Sequence, residues 1–120
     1  MLLTNLQVNV HFSINPGPLP CMASVTFRAP LRLGHASQDL PLILPTGENE
    51  QDAEGCWIYK GGEWYKFVSI YGDSWEEVKE RTQELVERVR QEVESLARLQ
   101  WKLFHSLPAD LAYVFPIQEE

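Results

Sequence analysis

The stretch from Gly72 to Pro108 constrains this chain more than any other, because it reads as one uninterrupted helix whose two ends are written in the sequence. Ser74 followed by Glu77 has capping-box spacing, in which the hydroxyl accepts a free backbone N–H and the carboxylate reaches back toward the cap. Glu76 and Glu77 place negative charge at the positive end of the helix dipole. Pro108 lacks an N–H and restrains the residue before it, so the helix stops there.

Projected at 100° per residue, Trp75, Val78, Thr82, Leu85, Val86, Val89, Val93, Leu96, Ala97, Leu99, Leu103, Phe104 and Leu107 fall within about 160° of arc. The opposite arc carries nearly all the charge. Glu77 with Arg81, Glu84 with Arg88 and Glu94 with Arg98 have the favourable i,i+4 order, as on a solvated face. Trp101 alone falls on the polar side, either covered by the chain beyond the helix or offered to a partner.

About 31 residues at 1.5 Å per residue give a helix of about 46 Å, whereas a nine-residue strand spans about 30 Å. A sheet built from the preceding strands therefore leaves the end from Leu96 to Leu107 in need of another cover. That cover is a second helix or the tail Leu111-Ala112-Tyr113-Val114-Phe115-Pro116-Ile117. The mismatch points to association, with a homodimer through the long helix as its simplest form. Trp101, Phe104, Tyr113 and Phe115 are the candidate partner-binding residues.

The first half reads as strands. Leu6, Val8, Val10, Phe12 and Ile14 alternate with Gln7, Asn9, His11 and Ser13, a period of two that places one face in a core. Ala23, Val25 and Phe27 alternate with Ser24, Thr26 and Arg28 until Pro30 bends or ends the strand. One polar face on each strand favours antiparallel pairing. Gly61-Gly62 marks a two-residue turn between strands at 56–60 and 63–71, so Lys60 faces Glu63, Tyr59 faces Trp64 and Ile58 faces Tyr65. Between these pairs, 34–55 reads as a long acidic loop with one short strand at Leu40 to Leu44. Glu48, Glu50, Asp52 and Glu54 make it solvated, or a contact for a basic partner.

These elements predict one α+β domain over 1–120. A mostly antiparallel sheet of four or five strands occupies 5–71, a single long C-terminal helix covering one face occupies 74–107, and an apolar tail occupies 108–120. The buried side of the hairpin carries Trp57, Trp64, Val68 and Ile70. The open side displays Tyr65, Phe67 and Tyr71, with Arg28, Lys60 and His11 nearby.

Charge and motif content narrow the function. A net charge of −7 and a pI near 4.9 oppose broad attraction to nucleic acid or an anionic membrane. No apolar run approaches the ~20 residues of a membrane span and the N-terminus lacks a basic signal region, so the expected compartment is cytoplasmic. Cys21 and Cys56 lie too far apart for a metal knuckle or a redox pair, and His11, His35 and His105 share no ligand spacing. No nucleophile–base pattern or HExxH appears, so neither catalysis nor a metal or cofactor is expected.

Two binding functions remain. The first is a protein-binding regulator or inhibitor that uses exposed aromatic residues and the helix and tail end. Gly72-Asp73-Ser74-Trp75-Glu76-Glu77-Val78 resembles the strand-to-helix corner of HicB-like antitoxins, which implies such a regulatory partner. The alternative is single-stranded nucleic-acid binding, with bases stacked on Tyr65, Phe67 and Tyr71 and phosphates met by Arg28 and Lys60. In element order, four strands followed by a long helix over 5–107, the chain resembles Whirly and Pur-type repeats, which implies that second role.

Overall fold

The computed structural model describes residues 4–30, 32–35, 38–46 and 56–119. Its elements in chain order are strands β1 (Gln7–Ile14), β2 (Cys21–Pro30), β3 (Arg32–His35), β4 (Gln38–Pro41), β5 (Ile58–Lys60) and β6 (Glu63–Gly72), then helix α1 (Trp75–His105). β1, β2, β6 and β5 form, in that order, a four-stranded antiparallel sheet. With the single long helix that follows, the architecture is the expected α+β arrangement.

The turn between β5 and β6 places Gly61 and Gly62 at φ of 61° and 83°, the left-handed values a two-residue hairpin of this kind requires. It sets Lys60 opposite Glu63, Tyr59 opposite Trp64 and Ile58 opposite Tyr65, the register read from the glycine pair. Cys21, Ala23, Val25, Phe27 and Ala29 of β2 then share the buried face with Trp64, Lys66 and Ile70 of β6 and with Trp57. Lys66 belongs to the side expected to be buried, and its ammonium lies 6.0 Å from the centroid of the Trp57 ring.

Helix α1 runs back over β2 and β6 and inserts Val78, Thr82, Leu85, Val89, Val93 and Ala97 into this core. Its start follows the capping chemistry, with the Ser74 hydroxyl accepting the Glu77 N–H at 3.2 Å. The Glu77 carboxylate reaches one residue past the cap and accepts the Asp73 N–H at 3.2 Å. Gly72 lets the helix come this close, since a Cβ there would lie 2.8 Å from Val78 Cγ2. On the polar face Glu77 pairs with Arg81 and Glu94 with Arg98, while Arg90 bridges Glu87 and Glu94.

Three expectations are corrected. The apolar row of β1 is only partly in the core: Leu6 and Val8 pack against it, but Val10 and Phe12 are about 40% exposed and Ile14 is 80% exposed. The reason is lateral, because the helix sits over β2 and β6 and leaves the edge strand at its flank. Residues 34–35 and 38–41, expected in the long loop, belong instead to strands β3 and β4, which pair with Leu33 opposite Leu40. The short strand expected at Leu40 to Leu44 is displaced, since β4 ends at Pro41 and 42–45 are outside any strand. The acidic positions Glu48, Glu50, Asp52 and Glu54 lie outside the described residues.

The hairpin and the segment after it supply the cover that the helix end lacks in the sheet. Leu33, Leu42 and Leu44 are buried in one core cluster with Ala97. Trp64 Nε1 donates to the Leu42 carbonyl at 2.9 Å. From the other side Ile43 N–H donates to Gln100 Oε1 at 2.8 Å, and Gln100 Nε2 donates to the Ile43 carbonyl. One amide thus holds an extended segment against the helix as a neighbouring strand would.

Candidate protein-binding surface

The cover over the helix end is one-sided. Ala97 is buried, Gln100 and Trp101 are half-buried and Phe104 is partly shielded, whereas Leu99, Leu103 and Leu107 are 53%, 56% and 70% exposed. Leu99 and Leu103 lie one turn apart on α1, and Leu107 follows four residues later, just past its cap. They were expected in the buried arc with the rest of the apolar residues. Six buried positions at spacings of three and four drift around the helix toward Ala97, so the β3–β4 side closes and the leucine side opens.

Trp101, on the polar side of the apolar arc, is half-buried rather than open. It packs against the core cluster and meets His105 edge-on at 4.5 Å between ring centroids. Phe104 is half-buried. Beyond the cap at Ser106, residues 107–119 run without regular structure and every one is exposed. Tyr113 and Phe115 stack on each other at 6.1 Å with their planes 10° apart, side by side as an extended chain places i and i+2. Leu111, Val114 and Ile117 stand out with them. The row of leucines and the tail are therefore the largest run of apolar side chains that this chain leaves uncovered among its described residues, which is the feature expected of an interaction site.

The open side of the sheet has a different chemistry. Gln7, Arg28, Tyr65 and Ile58 stand in one row across the four strands, followed by Asn9, Thr26 and Phe67, then by His11, Ser24 and Ser69. Tyr65 and Phe67 are stacked at 6.1 Å with planes 2° apart, and Tyr71 is exposed farther along β6. Arg28 is committed to Glu63 by an ion pair, and Tyr65 Oη donates to the same carboxylate at 3.2 Å. The hydrogen bond from Arg28 holds the Glu63 carboxyl below its ordinary value, and Glu63 in turn raises that of Arg28. Lys60 lies opposite Glu63 at the rim. The rings foreseen for stacking are thus together on one face, but the arginine beside them already has its anion.

A third feature was not foreseen. Val10 and Phe12 of β1, with Lys79, Thr82, Gln83, Val86 and Glu87 of α1, line a groove of about 550 Å³ along the flank of the helix. Phe12 meets Trp75 edge-on at its end, 5.9 Å between centroids.

Comparison with protein-family models, with curated proteins and with solved structures finds no match to this chain. The resemblances to Whirly, Pur-type and HicB-like proteins rest on element order and seven residues alone. Among the described residues no group of three or more His, Cys, Asp or Glu could hold a metal, and no helix is long and apolar enough to cross a membrane. Cys21 is buried, Cys56 is half-buried, and neither is in a disulfide.

Proposed function

We propose that this chain is a non-catalytic protein-binding regulator that engages its partner through the end of α1 and the tail. The observation that carries the reading is the row Leu99, Leu103 and Leu107 continuing into Leu111, Tyr113, Val114, Phe115 and Ile117, all exposed. Apolar and aromatic side chains so concentrated gain most when a partner removes them from water, and tyrosine is among the residues that dominate such interfaces. Two free thiols and the acidic surface fit a cytoplasmic location.

The test is capture from lysate of the native host, with and without nuclease, by the full chain and by a Leu99→Glu/Leu103→Glu variant. A stoichiometric protein companion that survives nuclease and is lost with the variant supports the proposal. A chain that emerges alone from both lysates refutes it. The stacked Tyr65–Phe67 pair supports the second reading, single-stranded nucleic-acid binding. There, labelled single strands should bind with affinity that falls steeply with salt and is weakened by Tyr65→Ala/Phe67→Ala. Absence of binding at low salt ends it.

A further inference from the structure

We infer that the partner engaged by the tail is a second copy of this chain: the extended tail of one copy adds as a strand to the free edge of β1 of the other, and its aromatic side chains fill the groove beside α1. This inference rests on the tail's being an interaction element, as proposed above.

The receiving edge is unprotected. Edge strands are ordinarily blunted by charge, proline or a bulge. β1 has eight residues, none charged and none proline, and pairs residue for residue with β2 from Gln7 to Ile14. Among the described residues β2 is its one paired neighbour, so its outer backbone groups are open to another strand. Beside that edge Val10 and Phe12 line the groove at the helix flank and stay about 40% exposed, and Ile14 beyond them is 80% exposed.

The donated segment matches in spacing. Leu111, Tyr113, Phe115 and Ile117 alternate with Ala112, Val114 and Pro116. Val8, Val10, Phe12 and Ile14 alternate with Asn9, His11 and Ser13. A strand added to the edge keeps its alternate side chains on one face of the sheet, so one row of the tail lies beside the row of β1 and over the groove. Pro116 can sit in an added strand because its missing N–H can point outward from the new edge.

Reach decides between the two copies. Glu87, the groove residue nearest the helix end, lies twenty residues before Leu107, roughly 30 Å along the axis, and Lys79 lies roughly 42 Å away. Fully stretched at up to ~3.6 Å per residue, the chain from Leu107 carries Tyr113 at most about 22 Å and Phe115 about 29 Å. The same chain must first reverse direction at Pro108. Turning back past Pro108 uses up part of this length, so Tyr113 falls short of its own groove and Phe115 can at most touch its near end, and the molecule's long dimension of 78 Å agrees with a tail directed away from its own body. Reciprocal exchange between two copies satisfies both grooves with one two-fold axis and closes the assembly.

Light scattering on the full chain at tens of micromolar should give twice the 13.8 kDa of the single chain. Val10→Asp, in the groove, and Tyr113→Asp/Phe115→Asp, in the tail, should each give the single-chain mass. Mixing the two variants should restore a dimer, because one retains an intact tail and the other an intact groove; a variant that had failed to fold could not do so. A single-chain mass for the unaltered protein, or a dimer indifferent to either set of changes, overturns the inference. So does a failure of the mixture to associate. The regulator reading fails separately, if host-protein capture is unaffected by both the Leu99/Leu103 and the Tyr113/Phe115 changes whatever the mass.

Discussion

Gln100→Ala is the substitution that best tests how the helix end is organised. The Gln100 amide donates to and accepts from the backbone of one residue, Ile43, whose neighbours Leu42 and Leu44 are 1% and 2% exposed. Those two leucines fix where the Ile43 backbone must lie, so loss of the amide cannot be repaired by moving the segment. Each hydrogen bond contributes roughly 0.5 to 1.5 kcal/mol net, giving about 1 to 3 kcal/mol for the pair. Ile43 itself is exposed, and water can replace part of what is lost, so the expected cost lies in the lower half, about 1 to 2 kcal/mol.

For a domain of this size one kcal/mol corresponds to roughly 4 °C in Tm, so the expected shift is about 4 to 8 °C downward by circular dichroism. Gln100→Glu keeps an acceptor for the Ile43 N–H and loses the donor for its carbonyl, and should fall between Ala and the native residue. Gln100→Met, which keeps the stem and loses both polar groups, separates packing from hydrogen bonding and should resemble Ala. A Tm for Gln100→Ala within 1 °C of the native protein would refute the reasoning. It would mean that Leu42 and Leu44 hold the segment without the amide.

Two further substitutions probe the other structural claims. Gly72→Ala places a methyl 2.8 Å from Val78 Cγ2 at the first turn of α1, and should lower stability by about 1 to 3 kcal/mol in a denaturant titration; an unchanged midpoint would show that the helix start can lift off the sheet. Glu63 has its carboxyl lowered chiefly by the hydrogen bond from Arg28, so the stability it adds is present above the unfolded carboxylate range and is lost as pH falls through its folded value. Melting followed downward from pH 6 should accordingly decline less steeply for Glu63→Gln than for the native chain, and equal slopes would remove the Arg28–Glu63 pair as a contributor.

Those parts of the fold governed by local chemistry were legible in the sequence. Ser74 and Glu77 announced the start of α1, Pro108 its limit, and Gly61-Gly62 both a turn and the register of Tyr59 and Trp64 across it. The β3–β4 hairpin was not legible, because Arg32-Leu33-Gly34-His35 has no apolar alternation of its own. Its pairing depends on Leu33 being buried beneath the helix, a contact that no window of neighbouring residues contains. Gln100 was equally silent, since an amide on a charged helix reads as solvent-facing until Ile43 is known to lie against it. At the candidate site the apolar character of Tyr113 and Phe115 was plain from composition, and the structure leaves both exposed. The row Leu99, Leu103 and Leu107 was assigned to the core because helical periodicity gives the width of an apolar arc and not how much of it is covered.

The uncovered surfaces follow from one geometric shortage. A helix about 10 Å across covers two strands spaced about 4.8 Å apart, and here those are β2 and β6, so the β1 flank is left half-roofed. The same helix is longer than the strands it covers. The β3–β4 hairpin and Leu42 to Leu44 close one side of the excess and leave the leucine side open. The two deficits stand toward opposite ends of α1, with the tail attached at one and the open edge at the other. Within one molecule the helix itself keeps them apart, as a spacer of roughly 30 Å or more. Between two molecules related by a two-fold axis perpendicular to the helices, the helices run in opposite senses and the tail end of each can lie near the open edge of the other. A single rigid helix can therefore forbid the tail's aromatic residues from docking in cis and favour their docking in trans, which is how a chain with one short roof can complete its covering by pairing with itself.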